Sequence, residues 1–91
     1  MMQAAAMTTH DADAYKAQQH AKLARMAGQI ADFFVAYPED QAVASIASHI
    51  NEFWTRRMRE DFVSAFNEAS PELRPLVAKA LAGIRADRSQ G

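Results

Sequence analysis

From Leu23 onward the large apolar residues fall at Leu23, Met26, Ile30, Phe33, Phe34 and Tyr37. Steps of three and four put side chains on one face of an α-helix, so the pattern predicts a helix that buries a single stripe. Pro38 predicts its end, because the residue before a proline is pushed out of helical geometry. The same period returns as Val43, Ile46, Ala47, Ile50, Phe53 and Trp54, then as Met58, Phe62, Ala65 and Phe66, and last as Leu76, Val77, Ala80, Leu81 and Ile84. Each set is expected to face a shared core. Alanine recurs throughout, strand formers are scarce, and no Asn-Gly or Asp-Gly hairpin signal occurs. The expected fold is all-α, a small bundle of three to four helices with a disordered N-terminal arm.

Local chemistry sets the expected corners. Thr9 or Asp11 offers a side-chain acceptor to the free N–H groups of a first helical turn. Glu39 and Asp40 sit where the positive end of a second helix favours carboxylates. Thr55 can cap a third helix running from Arg56 to about Ala69, which puts a kink between the second and third segments. Ser70-Pro71 is a cap followed by a proline, a strong start signal, but Pro75 competes with it because proline is tolerated only in a first turn. The last helix therefore starts at Pro71 or Pro75 and runs to about Ile84. Residues 1–10 are expected to form the arm, 11–85 a single helical domain and 86–91 a frayed tail.

Composition narrows the function classes. A chain of 91 residues supports one small domain, and a partner covering part of its aromatic surface would add to a limited core. No cysteine is present, so neither a disulfide nor a thiolate metal site can staple it. The net charge of −1 gives no general pull toward nucleic acid or anionic lipid. No basic start with an apolar run suggests a signal peptide, and no window reaches the length of a membrane span. A cytoplasmic, membrane-free protein is the expectation. Charge is unevenly spread, with two basic against four acidic residues in 22–54 and seven against five in 55–91.

Catalytic constellations are not apparent. His10, His20 and His49 stand apart from any activated serine, and no nucleophile elbow occurs. His49 lies three residues before Glu52, which fits a helical neighbour pair better than acid–base chemistry. A bundle di-metal site needs two Glu-x-x-His motifs and two more glutamates, and this chain has a single pair in reverse order. Gly28, Gly83 and Gly91 are isolated, so no phosphate-cradling loop exists. Gly28 within a helical pattern suggests either a close approach by another backbone or simple tolerance.

The segment "HINEFWTRRMRED" (49–61) is the strongest candidate surface. A solvated face is one reading, since Arg56 with Glu60 and Arg57 with Asp61 are four apart on a helix. A helix-turn-helix DNA module is another, although Glu60, Asp61 and Glu68 would meet the same phosphates. Protein docking is the third, because arginine and aromatic side chains are enriched at binding hot spots.

The stretches "KLARMAGQIADFF" (22–34) and "AVASIASHINEFWTRRMR" (42–59) together resemble the delta subunit of NAD-dependent, molybdenum-containing formate dehydrogenases. The residues that carry the likeness are Arg25, Met26, Gln29, Ile30, Phe33 and Phe34, then His49, Ile50, Phe53, Trp54, Arg57, Met58 and Arg59. "LRPLVAKAL" (73–81) is similar to the family's final helix, and the likeness covers about 22–84. The chain departs from the family pattern at Thr55-Arg56, where Asp-Pro is frequent, and at Gly28, where asparagine is frequent. The resemblance implies a non-catalytic accessory subunit that holds no cofactor itself. It would dock on and stabilise a catalytic alpha subunit bearing molybdopterin and iron–sulfur clusters, with FMN and the NAD site on further partners. Arg25, Gln29, Trp54, Arg57 and Arg59 are the expected partner contacts, while Met26, Phe33 and Met58 would lie in or beside the core. A transient assembly or cofactor-insertion factor for the same enzyme is the alternative, and self-association of the isolated chain is possible.

Overall fold

The computed structural model describes the backbone of residues 2–86 and the side chains of residues 14–86. The described residues form four α-helices, α1 (Met2–Phe34), α2 (Glu39–Phe53), α3 (Arg56–Ala65) and α4 (Pro75–Ala80), followed by a 3-10 turn at Leu81–Gly83. No strand occurs among the described residues. The all-α bundle expected from sequence is therefore the observed architecture. The backbone of α1 is already helical at Met2, ahead of the start expected at Thr9 or Asp11. Of the expected tail, residues 87–91 lie outside the described residues.

The central element is α2, which packs against α1 on one side and α4 with its 3-10 turn on the other. Alanines make this possible. Leu23, Ala27 and Ala31 recur every four residues along the buried stripe of α1, and Ala42, Ile46, Ala47 and Ile50 answer from α2. Small side chains at the seam centre let the two helix axes approach closely, with larger ones closing the flanks. Ile46, Ile50, Phe62 and Val77 are completely enclosed.

The corners follow local chemistry where the chain is short of alternatives. Residues 35–38 turn the chain back, with the Tyr37 N–H donating to the Phe34 carbonyl at 3.0 Å. At Thr55 the backbone is extended, and the side-chain Oγ1 accepts from the Met58 N–H at 3.1 Å. So α2 and α3 are separate helices joined at a capped corner, as the threonine suggested.

Three expectations are corrected. Helix α3 stops at Ala65 rather than near Ala69, because Phe66 turns to extended geometry and stacks its ring on Phe62, centroids 5.3 Å apart. Ser70 caps nothing ahead of it: its hydroxyl accepts from the Asn67 N–H at 2.9 Å, and the helix waits for Pro75. Phe33, Tyr37 and Phe53 were expected inward but are 77%, 52% and 68% exposed. Tyr37 lies beyond α1, which ends at Phe34 rather than at Tyr37 as Pro38 predicts, so helical spacing does not place it; for the two phenylalanines the cause is angular. Successive helical residues point about 100° apart, so the two members of Phe33-Phe34 or of Phe53-Trp54 cannot both enter one narrow seam.

Candidate functional site

The α1–α2 hairpin leaves an open apolar cleft along one edge of its seam. Met26, Gln29, Ile30, Phe33 and Phe34 from α1 line it, with His49 and Trp54 across from them. Its volume is about 390 Å³. The two aromatic pairs work in the same way at its two ends. Phe34 turns in at the hairpin turn while Phe33 stands out, its ring edge-on to Phe34 at 5.4 Å. At the far end Trp54 turns in and Phe53 stands out, tilted over the His49 ring with centroids 4.6 Å apart.

The floor at the Trp54 end is tied down by ring and hydrogen-bond contacts. Trp54 is 6% exposed and meets Phe62 edge-on at 5.4 Å. Its carbonyl accepts from Arg59 Nη1 at 2.9 Å, and Arg59 Nε donates to the Arg85 carbonyl at 2.7 Å. Asn51 holds the same C-terminal segment from the other side. Its Nδ2 donates to the Gly83 carbonyl at 2.9 Å, and its Oδ1 accepts from the Arg85 N–H at 2.7 Å.

A larger groove of about 760 Å³ lies on the opposite side of α1, between its middle turns and the residues around α3 and α4. Its α1 wall is made of Ala17, Ala21, Ala24 and Gly28, and its rim carries Arg25, Asp32, Glu72 and Arg74. Arg74 crosses Gly28 to pair with Asp32. This groove is wider but mixed in polarity; the smaller cleft is where the exposed aromatic surface gathers.

The sequence-derived contacts do not form one patch. Gln29 borders both the cleft and the groove, Arg25 borders the groove one turn earlier, and Trp54 forms cleft floor. Arg57 is 83% exposed and lies 3.5 Å from Asp61. Arg59 is spent inside the fold, binding two backbone carbonyls. Phe33 and Phe53 are the surface residues that the core assignment hid. The adjacency of two aromatics in each pair was the signal for them, since one ring of each must face outward.

Among the described residues no three His, Asp or Glu side chains gather where a metal could bind. None of their helices is long and apolar enough to cross a membrane. The fold and its cleft define a small all-α protein whose most distinctive surface is apolar, aromatic and open. The chain belongs to the family described as the NADH-dependant formate dehydrogenase delta subunit FdsD, whose model matches residues 22–81. That span contains all four helices' packed portions and both aromatic pairs. Neither the curated proteins nor the solved structures give a match to this chain.

Proposed function

We propose that this chain is a non-catalytic accessory subunit that docks on, and stabilises, the molybdopterin-bearing catalytic subunit of a cytoplasmic formate:NAD oxidoreductase. The observation that carries the reading is the cleft flanked by Phe33 and Phe53, two large apolar rings exposed on a protein with few such residues to spare. Exposed aromatics beside a formed apolar cleft are the usual make-up of a binding hot spot. The residues present do not suit the cofactors themselves. Iron–sulfur clusters are held by thiolates, and the chain has no cysteine; nor has it a glycine-rich loop to cradle a phosphate. Those groups belong, on this reading, to the partner subunits.

The test is a Phe33→Ser, Phe53→Ser double variant carried through co-purification with the catalytic subunit. Each side chain is exposed, so helicity and melting behaviour stay as in the parent. Loss of hot-spot contacts on the order of 2 kcal/mol each lowers recovery of the complex by more than tenfold. Undiminished recovery removes the cleft from the interface. Subunit stoichiometry in the purified active enzyme separates a resident subunit from a transient assembly factor.

A further inference from the structure

We infer that residues 83–85 act as a strap that holds the Trp54 end of the cleft in shape, with Asn51 and Arg59 as its positioning residues. The inference rests on the docking reading above and adds what keeps the docking site formed.

The strap begins where helical bonding stops. The Ile84 N–H closes the 3-10 turn on the Leu81 carbonyl at 3.1 Å, and Ile84 itself is extended, with φ −84° and ψ 129°. The neighbouring backbone groups then need other partners. Three side-chain-to-backbone hydrogen bonds, spanning 26, 32 and 34 residues of sequence, end on this short segment. Asn51 makes two of them in the manner of a peptide group, since its amide offers a donor and an acceptor in one plane. It takes the Gly83 carbonyl and the Arg85 N–H, the groups on either side of Ile84, whose side chain is buried in the core. The fit against α2 is close: a Cβ at Gly83 would lie 3.0 Å from the Cβ of Ala47.

Arg59 joins the strap to the cleft. Its Nε binds the Arg85 carbonyl and its Nη1 the Trp54 carbonyl. A guanidinium is planar, so these two donors keep a fixed relation, and moving one carbonyl shifts the donor of the other. Trp54 is the first residue past α2 and its backbone is extended, so no helical turn sets where its carbonyl points. Its ring lines the cleft. Release of the strap therefore leaves Arg59 anchored at one end and lets Trp54 leave its place in the floor.

The chain has a single tryptophan, so tryptophan emission reports on Trp54 alone. Asn51→Ala and Arg59→Lys variants of the full chain are compared with the parent by acrylamide quenching and by NMR exchange of the Arg85 amide, both far below the urea transition. Each should keep the parent's helical circular dichroism, raise quenching about twofold and speed Arg85 exchange about tenfold, the mark of a local opening rather than of global unfolding. Arg59→Lys keeps the charge but offers one nitrogen where the bridge uses two, and it decides the matter if Asn51→Ala does not fold. Arg85→Ala keeps the backbone groups and should leave quenching as in the parent. A cleft formed for part of the time binds in proportion to that fraction, so both strap variants should lower recovery of the complex with the catalytic subunit about fivefold.

Faster exchange at Arg85 with unmoved Trp54 quenching overturns the inference, and so does raised quenching in Arg85→Ala. Raised quenching with undiminished recovery also overturns it, and leaves the docking reading standing where the Phe33→Ser, Phe53→Ser variant loses the complex. Full recovery of that double variant and of both strap variants overturns both.

Discussion

Arg59 donates from Nη1 to the carbonyl of Trp54 at 2.9 Å, so a charged side chain on α3 fixes the aromatic corner at the end of α2. Its Nε reaches the Arg85 carbonyl at 2.7 Å and pulls the C-terminal segment against the same corner. Arg57, two residues earlier, points to solvent and approaches only Asp61. The two arginines look alike in sequence and do different work. Hydrogen bonds from a charged donor contribute about 1.5–3 kcal/mol, whereas an exposed ion pair contributes under ~1 kcal/mol. Arg59→Ala is therefore expected to destabilise the fold by about 2 kcal/mol and Arg57→Ala by less than ~0.5 kcal/mol. Urea unfolding followed by circular dichroism checks both, and equal effects would refute the assignment.

The Thr55 corner makes a separate prediction. Its Oγ1 satisfies the Met58 N–H, one of the free donors of the first turn of α3. Thr55→Ala leaves that donor to water and should cost about 1 kcal/mol, while Thr55→Ser or Thr55→Asp should hold stability within a few tenths, as is usual for capping residues. The melting temperatures of the three variants give the comparison.

How much of this was readable in advance depends on whether the cause is local. Pro38, Thr55 and Pro75 mark helix starts because each acts on its own backbone or that of the next turn, and α2, α3 and α4 begin at or just after them, although α1 stops at Phe34, short of the end at Tyr37 that Pro38 predicts. Ser70-Pro71 misleads because the hydroxyl that could have capped forward bonds backward to Asn67, a choice that depends on how residues 66–74 pack. The inward placing of Phe33 and Phe53 fails for another reason. A step of three or four admits a residue to a broad stripe, but Ala27 and Ala31 make the actual seam narrow and leave room for only one ring of each pair. Arg59's role rests on a carbonyl 26 residues away, which no neighbouring pattern encodes. Arg25, Gln29 and Arg57 were found as exposed polar residues, yet their spread over two faces needed the fold.

The two described glycines should respond in opposite directions. A Cβ at Gly28 would lie 3.3 Å from Arg74 Nε, the end of an exposed and flexible side chain. A Cβ at Gly83 would lie 3.0 Å from the Cβ of Ala47, which α2 holds fixed. Alanine in a helix interior is favoured over glycine by about 1 kcal/mol, and loosening an exposed ion pair forfeits less than that, so Gly28→Ala should stabilise by about 0.5 kcal/mol. Gly83→Ala overpacks a rigid contact and should destabilise by ~1–2 kcal/mol. The close approach that a helical glycine suggests is thus at Gly83, with Gly28 giving passage to the Arg74 side chain. Thermal unfolding of the two single variants decides the signs.

The strongest contrast lies between two phenylalanines nine residues apart in the chain. Phe62 is wholly enclosed, with Trp54 edge-on at 5.4 Å and Phe66 tilted at 5.3 Å, whereas Phe53 stands 68% exposed over His49. Truncating an enclosed phenylalanine costs about 3–5 kcal/mol in lost burial and cavity formation. A domain of this size holds on the order of 4–10 kcal/mol in total, so Phe62→Ala should leave a substantial fraction unfolded at 37 °C. Phe53→Ala removes a ring that the fold does not enclose and should shift stability by less than ~0.5 kcal/mol. On the proposed docking, the variant should fold as the parent does and associate more weakly with the catalytic subunit. Paired urea titrations and co-purification read both properties, and a Phe53→Ala protein that unfolds like Phe62→Ala would show that Phe53 belongs to the core.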